Sequence, residues 1–393
     1  MMPLSANQRE LCERVRTFVA ERIVPLEESL DPDESELDAE TLAPLVAETR
    51  AMGLYNYDVP AEHGGPGLDT VTTTLLAMEM SQHRAGLYTP CYGAFGPSGF
   101  AQLYDATPAQ RERFLYPALR GEKRVFFGLT EESGGSDPAN AIATTAVRDG
   151  DEWVINGGKI FIGEAHRADF GLVFARTGGP GRKGISCFVV ETTAPGFEVV
   201  RAIHTLRSGT TPSEIRFHQV RVPHENLVGE EGGGFALANA ALVRIRIPYS
   251  AACVGLAIKS QSLALEHVKK RHVFGKTLAE HEGVQWMLVD NDLDIHHATL
   301  MVLHAASRAD EGLSFRRETA LAKISATEAS ARVVDRSMQL FGAWGVAKDL
   351  PFERWYRELR IRRIGEGTSE TQRMVISRDL LGATRYQNIW EAP

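Results

Sequence analysis

One acidic residue of this chain stands out because of its neighbours. Near the C-terminus the sequence reads GEGTSETQR, in which Glu366 lies between Gly365 and Gly367 and is followed by Thr368 and Ser369. In one interpretation the stretch is only the start of a helix, with Ser369 as its N-cap. In the other, an acid on backbone without bulky neighbours is presented to a ligand that approaches closely. The local pattern leaves both interpretations open.

A second stretch carries hydroxyls and glycines close together. The segment FFGLTEESGGSD, residues 126–137, contains Thr130, Ser133 and Ser136. Its hydroxyls and backbone amides could bind a ring edge or a phosphate, although Gly, Ser and Asp also populate ordinary loops. The spacing does not match a dinucleotide fingerprint, and the chain has no complete GxxxxGK[ST] phosphate-loop motif.

Composition limits the class of protein. The 393 residues exceed one ordinary core, so two or three subdomains are expected. A net charge of −8, with acids and bases interspersed, argues against nucleic acid as the main partner. The four cysteines are far apart and suggest neither a metal site nor disulfides. Without a basic-then-apolar leader or a run of about eighteen uncharged apolar residues, a cytoplasmic protein without a membrane segment is expected.

The periodicity divides the chain into three parts. A capping box at Ser5 and Gln8 starts a mostly helical part, whose first helix is predicted to end at Pro25. Short apolar runs with turn signals, such as RDGD, then predict a β barrel or sandwich over about 126–223. Long helical patterns follow at about 236–271, 280–309, 316–341 and 369–382, with a shorter one near 350–362, and predict a four-helix bundle. The predicted fold is α+β, mainly α, with domains at 1–125, 126–235 and 236–393.

One helical pattern contains an apolar stripe that is predicted to belong to the core. The stripe lies in the segment at about 280–309 and has a helical spacing. Its members are Leu288, Ile295, Leu300 and Leu303.

Taken together and in order, five stretches resemble the acyl-CoA dehydrogenase family across nearly the whole chain. VPAEHGGPGL resembles its Glu, Gly-Gly, Gly-Leu loop, and LTEESGGSD its Thr-Glu-Pro, Gly-Ser-Asp signature. RHVFGK and QLFGAWGV resemble its two flavin-contacting stretches from the bundle, and GEGTSETQR its catalytic Glu-Gly-Thr segment. The resemblance implies a helical domain, a β domain and a four-helix bundle.

The resemblance also implies FAD as the cofactor, with no metal, and assigns residues to it. The isoalloxazine ring would lie against the β domain and Thr368, while the pyrophosphate and adenosine would reach a neighbouring subunit, so a homotetramer is implied. The β-domain residues would be Phe127, Leu129, Thr130, Ser136, Phe161 and Ile162, and the bundle residues Arg271, Phe274, His281, Gln339 and Gly342.

For the chemistry, the resemblance assigns Glu366 as the base that removes the α-proton of an acyl thioester while the β-hydrogen leaves as hydride to flavin N5. Burial beside flavin and acyl chain is expected to raise the pKa of this acid toward the working range of a base. Some family members place the base on the first bundle helix, but the corresponding stretch here, ALVRIRIPYS, contains no acid. Arg246 in that stretch matches an arginine near the catalytic acid and is expected to orient it.

Two departures from the family pattern bear on activity. Gly163 stands where a threonine commonly hydrogen-bonds flavin N5, which puts the rate of hydride transfer and the reactivity toward oxygen in question. Gly365 stands where an aromatic residue often precedes the base, which suggests a wider cavity for branched, cyclic or aryl acyl groups.

The leading hypothesis is an FAD-dependent acyl-CoA dehydrogenase that passes electrons to an electron-transferring flavoprotein. One alternative is an acyl-CoA oxidase or an acyl-carrier-protein dehydrogenase on the same fold. Another is a non-catalytic relative that binds nucleic acid, against which the acidic balance of the chain argues.

Overall fold

The computed structural model describes residues 4–97, 101–209 and 211–383. The chain divides into two compact units. The first contains the described residues of Met1–Pro25, Asp69–Leu87 and Val243–Pro393, and the second those of Leu26–Leu68 and Tyr88–Leu242. The N-terminal helices therefore belong partly to one unit and partly to the other.

The N-terminal part is helical, as its sequence predicts. Its helices are α1 Ala6–Phe18, α2 Val24–Glu27, α3 Ala39–Ala51, α4 Thr70–Met80, α5 Ala101–Tyr104, α6 Pro108–Gln110 and α7 Tyr116–Leu119. The capping box is confirmed, because the Ser5 hydroxyl accepts from the Gln8 amide at 3.1 Å and the Gln8 side chain accepts from the Ser5 amide at 3.0 Å.

The prediction that Pro25 ends the first helix is wrong. A π-helical turn over Val19–Ile23 follows α1, and the chain continues without a break into α2, which contains Pro25. Proline has no N–H to donate, so it normally interrupts the pairing of an α-helix. In the π turn just before Pro25, N–H groups bond to carbonyls five residues earlier instead of four, so different carbonyls are left for the residues that follow. The helical run therefore passes through the proline instead of stopping at it.

The middle of the chain forms an eight-stranded sheet. Its strands are β1 Val125–Gly128, β2 Thr145–Asp149, β3 Glu152–Ile162, β4 Phe170–Arg176, β5 Ile185–Glu191, β6 Phe197–Ala202, β7 Ser213–Pro223 and β8 Leu227–Val228, with the short helix α8 Pro138–Ala141 after β1. The order is β6-β7-β3-β2-β4-β5-β8, and β1 pairs in parallel with β4. The predicted RDGD hairpin joins β2 to β3, with Gly150 at a φ of 63°.

Both faces of the central strand β4 are buried. Leu172 and Phe174 belong to one apolar cluster, whereas Val173 and Ala175 belong to another. Successive residues of a strand point to opposite faces, so a strand covered on both sides needs a continuous apolar run. This explains why the sequence FGLVFAR does not alternate with polar residues.

The C-terminal part is a helical bundle whose helices lie within a few residues of their predicted positions. They are α9 Gly234–Lys270, α10 Glu282–Asp310, α11 Arg316–Phe341, α12 Phe352–Arg362 and α13 Ser369–Gly382, with a small hairpin of β9 His272–Val273 and β10 Lys276–Thr277 between α9 and α10. The fold class is therefore the one predicted: N-terminal helices, a central sheet and a C-terminal bundle.

Helix α9 is long and apolar enough to cross a membrane by length and composition, since its most apolar window has a mean hydropathy of 1.5. However, 67% of that window is buried inside the protein. A helix that is apolar on all sides is also what the centre of a large helical core requires. We therefore interpret α9 as a core helix.

The predicted core stripe on α10 is only partly buried. Leu288, Ile295 and Leu303 are half-buried, but Leu300 is 45% exposed. It belongs to an exposed apolar stripe at helical spacing, with Trp286, Val289 and Leu293. The placement of Leu300 in the core is wrong for a single chain, because α10 carries apolar residues on more than the face that packs in the bundle.

Candidate active site

Glu366 lies in the tight turn that joins α12 to α13. Its backbone is left-handed, with a φ of 56°, and Gly367 follows with a φ of 85°. A left-handed conformation is uncommon for a residue with a side chain, and such strain persists where the surroundings enforce it. The expectation that Ser369 caps the next helix is wrong by one residue, since the Thr368 hydroxyl accepts the Thr371 amide at 3.1 Å. The helix start and the presented acid are thus two features of the same turn.

Two buried side chains hold the backbone of Glu366. Arg246, which is 6% exposed, donates from Nε to the Glu366 carbonyl oxygen at 3.0 Å. Gln372, which is fully buried, donates from Nε2 to the carbonyl oxygens of Glu366 at 3.3 Å and of Gly367 at 3.2 Å. Arg246 is therefore a buried contact of the turn and not a surface charge.

The charges around Glu366 act against each other. Burial is the largest effect and raises the pKa of the Glu366 carboxyl, as expected from the sequence. Arg246, Arg362 and Lys323 oppose it, because each positive charge favours the carboxylate. Burial also lowers the pKa of Lys323 to about 8. The result is an acid that is easier to protonate than an ordinary glutamate but is surrounded by cations that favour its charged form.

Several residues of this cluster were missed at the sequence level. Lys323, fully buried on α11, donates from Nζ to the Arg363 carbonyl oxygen at 3.1 Å. Arg362 stacks on Tyr249, with its guanidinium carbon 3.9 Å from the ring centroid. A lysine within the small, apolar run TALAKISA is a signal that could have indicated Lys323. No comparable signal exists for Gln372, whose role depends on the turn that precedes its helix.

The bundle residues predicted to bind FAD lie in two stretches that meet. His267, one turn before Arg271, stacks on Phe341 with ring centroids 4.1 Å apart. Phe341 itself lies between Gln339 and Gly342. The stretches RHVFGK and QLFGAWGV are thus adjacent within the first unit, and Arg271, Phe274, Gln339 and Gly342 are all exposed.

Phe274 and His281 form an edge-to-face pair beside this junction, with ring centroids 6.4 Å apart. Phe274 is 97% exposed and has a φ of 49°. A large apolar side chain held almost wholly in solvent by a left-handed backbone is typical of a contact made to another molecule.

In the second unit, the predicted flavin-binding residues lie at the ends of β1 and β3. The Ile160 amide donates to the Thr130 carbonyl oxygen at 3.0 Å, which places Thr130 beside the end of β3. Phe127 and Thr130 are half-buried, Leu129 and Ile162 are buried, and Ser136 is exposed.

A buried ion pair fixes this region. The ammonium of Lys159, fully buried, donates to a Glu131 carboxylate oxygen at 2.7 Å and to the Phe174 and Leu129 carbonyl oxygens at 2.6 and 3.3 Å. Burial raises the pKa of Glu131, but the charge and hydrogen bond of Lys159 bring it below the ordinary value. Burial lowers the pKa of Lys159 to about 8. The pair was not singled out from sequence, although it lies next to Thr130.

The end of β3 fits a planar ring such as that of FAD. Phe161 has a φ of 58° and is 58% exposed, so its ring faces outward at the end of the strand. At Gly163, no heavy atom of the described residues other than the glycine and its two chain neighbours lies within 4 Å of where a Cβ would be. Apolar surface, open space and the nearby Thr130 hydroxyl together suit an aromatic ring with polar edges. Among the described residues, no group of His, Cys, Asp and Glu is placed to hold a metal ion.

Comparisons with known proteins match one family along most of the chain. Family models for the N-terminal, middle and C-terminal domains of acyl-CoA dehydrogenase match residues 5–122, 126–220 and 232–381. The mitochondrial short-chain specific acyl-CoA dehydrogenase of Rattus norvegicus is 35% identical over 97% of this chain and 92% of its own length.

Two solved structures show the same fold. Butyryl-CoA dehydrogenase from Megasphaera elsdenii has a TM-score of 0.86 and 30% identity, covering 97% of this chain and 100% of its own. A structure described as the electron transferring flavoprotein of Acidaminococcus fermentans has a TM-score of 0.87 and 31% identity, covering 98% and 100%.

This chain belongs to the acyl-CoA dehydrogenase family. It is an FAD-dependent oxidoreductase that dehydrogenates acyl-CoA thioesters.

Proposed function

We propose that Glu366 is the catalytic base of this reaction and removes the proton from the α-carbon of an acyl-CoA. The observation that carries the proposal is the strained turn of Glu366, whose carbonyl oxygen is held by the buried side chains of Arg246 and Gln372, with the charges of Arg246, Arg362 and Lys323 favouring its carboxylate form. A base for a carbon acid must be poorly hydrated yet able to lose its proton near neutral pH. Partial burial supplies the first property, and the three cations supply the second.

In the proposed reaction, the Cα–H bond breaks and its proton passes to a carboxylate oxygen of Glu366. The electron pair of that bond forms the Cα–Cβ double bond as the β-hydrogen leaves with its own pair. When bound, FAD accepts this hydride. The backbone N–H of Glu366 is assigned to the thioester oxygen, which becomes negative as the α-proton leaves; such a donor is typically worth about 2.7 to 4 kcal/mol. Arg246 has a positioning role, because it binds the backbone that carries both the carboxyl and this N–H.

We assign the FAD contacts to the residues predicted from sequence. The support comes from the exposed Phe161, the open space at Gly163 and the adjacency of the two bundle stretches. The Thr368 hydroxyl oxygen accepts the Thr371 amide and also lies 3.2 Å from the Thr371 hydroxyl, so a ligand would share this hydroxyl with the helix start. The assigned residues are Phe127, Leu129, Thr130, Ser136, Phe161, Ile162, Arg271, Phe274, His281, Gln339, Gly342 and Thr368.

For the electron acceptor, we propose an electron-transferring flavoprotein. The match to the Acidaminococcus fermentans structure supports this choice. Gly163 favours the alternative of an oxidase, because it offers no side chain to the flavin edge and leaves open space there. The test is anaerobic reduction of the yellow protein by butyryl-CoA, followed by air. Slow reoxidation in air with fast reoxidation by an electron-transferring flavoprotein is expected, whereas immediate reoxidation in air would identify an oxidase.

The same anaerobic experiment separates the two classes of thioester. Butyryl-CoA is expected to bleach the flavin within the mixing time at a concentration at which the butyryl-carrier-protein thioester does not. Bleaching by the carrier-protein thioester alone would assign the chain to the second class.

We also propose that the protein is a homotetramer. The exposed stripe of Trp286, Val289, Leu293 and Leu300 on α10 and the exposed Phe274 support self-association. Light scattering should give a mass about four times the 43.2 kDa of the chain. Leu293→Asp is expected to lower this mass, and Val147→Asp, at an exposed valine of the sheet, serves as the control. A monomer that still holds FAD would contradict the proposal.

We propose a cytoplasmic location and domain boundaries at 125 and 235. The four cysteines are buried and form no disulfide among the described residues, which suits a reducing compartment. Cell fractionation tests the location, and limited proteolysis tests the boundaries.

A further inference from the structure

We propose that Tyr249 is a specificity-determining residue, which limits the bulk of the acyl group near the base by taking the place that a side chain at position 365 would occupy. The inference rests on the proposed role of Glu366. It replaces the expectation, drawn from Gly365 alone, of a wider cavity for branched or aryl acyl groups. The acyl groups favoured at this wall are unbranched next to the reacting carbons.

The first observation concerns the space beside Gly365. A Cβ built on this glycine would lie 2.7 Å from the Tyr249 hydroxyl oxygen but 3.7 Å from ring carbon Cζ. The first distance is shorter than real carbon contacts allow, whereas the second is an ordinary van der Waals contact. Gly365 does not have a positive φ, so its backbone would accept another residue. Of the described atoms around it, the hydroxyl is the one that excludes a side chain.

The second observation is that the Tyr249 ring is fixed in this position. Its hydroxyl donates to the Arg362 carbonyl oxygen at 3.2 Å, and the Arg362 guanidinium lies over its face. That guanidinium donates in turn to the Leu87 carbonyl oxygen. A ring held by a hydrogen bond at its tip and a cation on its face has little freedom to turn aside for a ligand.

The third observation is the relation of Tyr249 to the turn that carries the base. Tyr249 lies three residues after Arg246 on α9, so the two side chains leave the same side of the helix. Arg246 binds the carbonyl of Glu366, and Tyr249 binds the carbonyl of Arg362, at the two ends of one short turn. The half-buried ring therefore stands beside the residue directly before the base.

Consequently, the aromatic wall beside the base comes from helix α9 instead of the turn. A wall on a long, packed helix is less able to yield than one on a turn, because the helix is held along its length by the core. A branch or an aryl group close to the reacting carbons would meet this wall, whereas a straight chain would pass it.

The test uses anaerobic flavin reduction by two thioesters, butyryl-CoA as the narrow substrate and 3-phenylpropionyl-CoA as the bulky one. Tyr249→Ala should raise the ratio of bulky to narrow rates by about tenfold or more, the scale on which pocket shape separates substrates. An unchanged ratio would overturn the proposal. Glu366→Gln is run beside it: if this variant reduces flavin at the wild-type rate, the base assignment fails, whatever the ratio does.

A second set of variants stays informative if Tyr249→Ala does not fold. Gly365→Ala should reduce both rates by about tenfold, because its methyl group overlaps the Tyr249 hydroxyl. In the Tyr249→Phe background, where that oxygen is gone, Gly365→Ala should change the rates by less than about twofold relative to Tyr249→Phe alone. Equal losses in both backgrounds would show that the hydroxyl does not occupy this space, and would overturn the proposal.

Discussion

Arg246 binds Glu366 by its backbone: the guanidinium Nε donates to the Glu366 carbonyl oxygen at 3.0 Å, 120 residues away along the chain. The arginine therefore fixes the position of the proposed base, while its charge favours the carboxylate form. Position and protonation state are separate properties, and suitable variants can change one without the other.

The first prediction concerns the base itself. Glu366→Gln retains size and much of the hydrogen bonding but cannot accept the α-proton. Flavin reduction by butyryl-CoA in stopped flow should slow by about 10² or more, the lower range for general acid–base catalysis. FAD content and melting temperature should stay close to wild type. The control is Glu370→Gln, an exposed acid on the next helix. A variant that still bleaches at the wild-type rate would reduce Glu366 to part of a helix start.

The second prediction separates the two effects of Arg246. Arg246→Lys keeps the charge but loses the planar donor geometry, so turnover should fall roughly tenfold to a hundredfold while the pH dependence stays in place. Arg246→Ala should lower turnover and also move the acidic limb of the pH profile upward. Arg244→Ala, at an exposed arginine on the same helix, serves as control for surface charge. If the melting temperatures of Arg246→Lys and Arg246→Ala fall in parallel with their turnover, Arg246 contributes to packing only.

A third prediction follows from the charges around the base. The pKa of Glu366 is raised above the ordinary glutamate value, so activity should be lost as pH falls through a pKa higher than about 4.3. Lys323 lowers the pKa of Glu366, and its removal must therefore raise it. In Lys323→Met the acidic limb of kcat/KM should move to higher pH. Lys183→Met, at an exposed lysine of the sheet domain, should leave the limb in place. A shift to lower pH in Lys323→Met would contradict the electrostatic account.

The fourth prediction concerns the buried pair beside Thr130. Lys159→Met leaves the Glu131 carboxylate buried without its partner and should destabilise the fold by about 3–5 kcal/mol. The double variant Lys159→Met/Glu131→Gln removes the uncompensated charge and should recover a large part of that loss. Urea unfolding of the wild type, Lys159→Met, Glu131→Gln and the double variant measures the coupling. Additive losses would mean that the two residues do not stabilise each other.

FAD release from the same variants reports on function. Lys159 binds the carbonyl oxygens of Leu129 and Phe174, next to the predicted flavin-binding stretch. The double variant, although its stability is largely recovered, should bind FAD more weakly than wild type in equilibrium dialysis. Equal affinity would mean that the ion pair contributes to stability and not to FAD binding.

Much of this protein was determined locally by its sequence. The limits of α9, α10 and α11 follow from helical periodicity, and the capping box at Ser5 and the RDGD hairpin depend on contacts between residues a few positions apart. Predictions from local pattern were wrong by one residue where two neighbouring residues can serve the same purpose. Both Thr368 and Ser369 are residue types that cap helices, and Thr368 is the N-cap in the structure. The glycines around Glu366 indicated the site, because a turn with left-handed backbone favours glycine and is therefore visible in the residue types.

What only the tertiary structure decided is which side chains meet at that turn. Arg246 on α9, Lys323 on α11 and Gln372 on α13 contact the turn of Glu366 because the helices of the bundle pack side by side, and periodicity identifies a helix face without saying what lies opposite. The same holds for Gly365, where the absence of a side chain suggested open space until Tyr249 was found in it. Hydrogen bonds and charges act over a few ångströms in space, whereas sequence patterns report a few positions along the chain, so contacts across 120 residues are decided by packing.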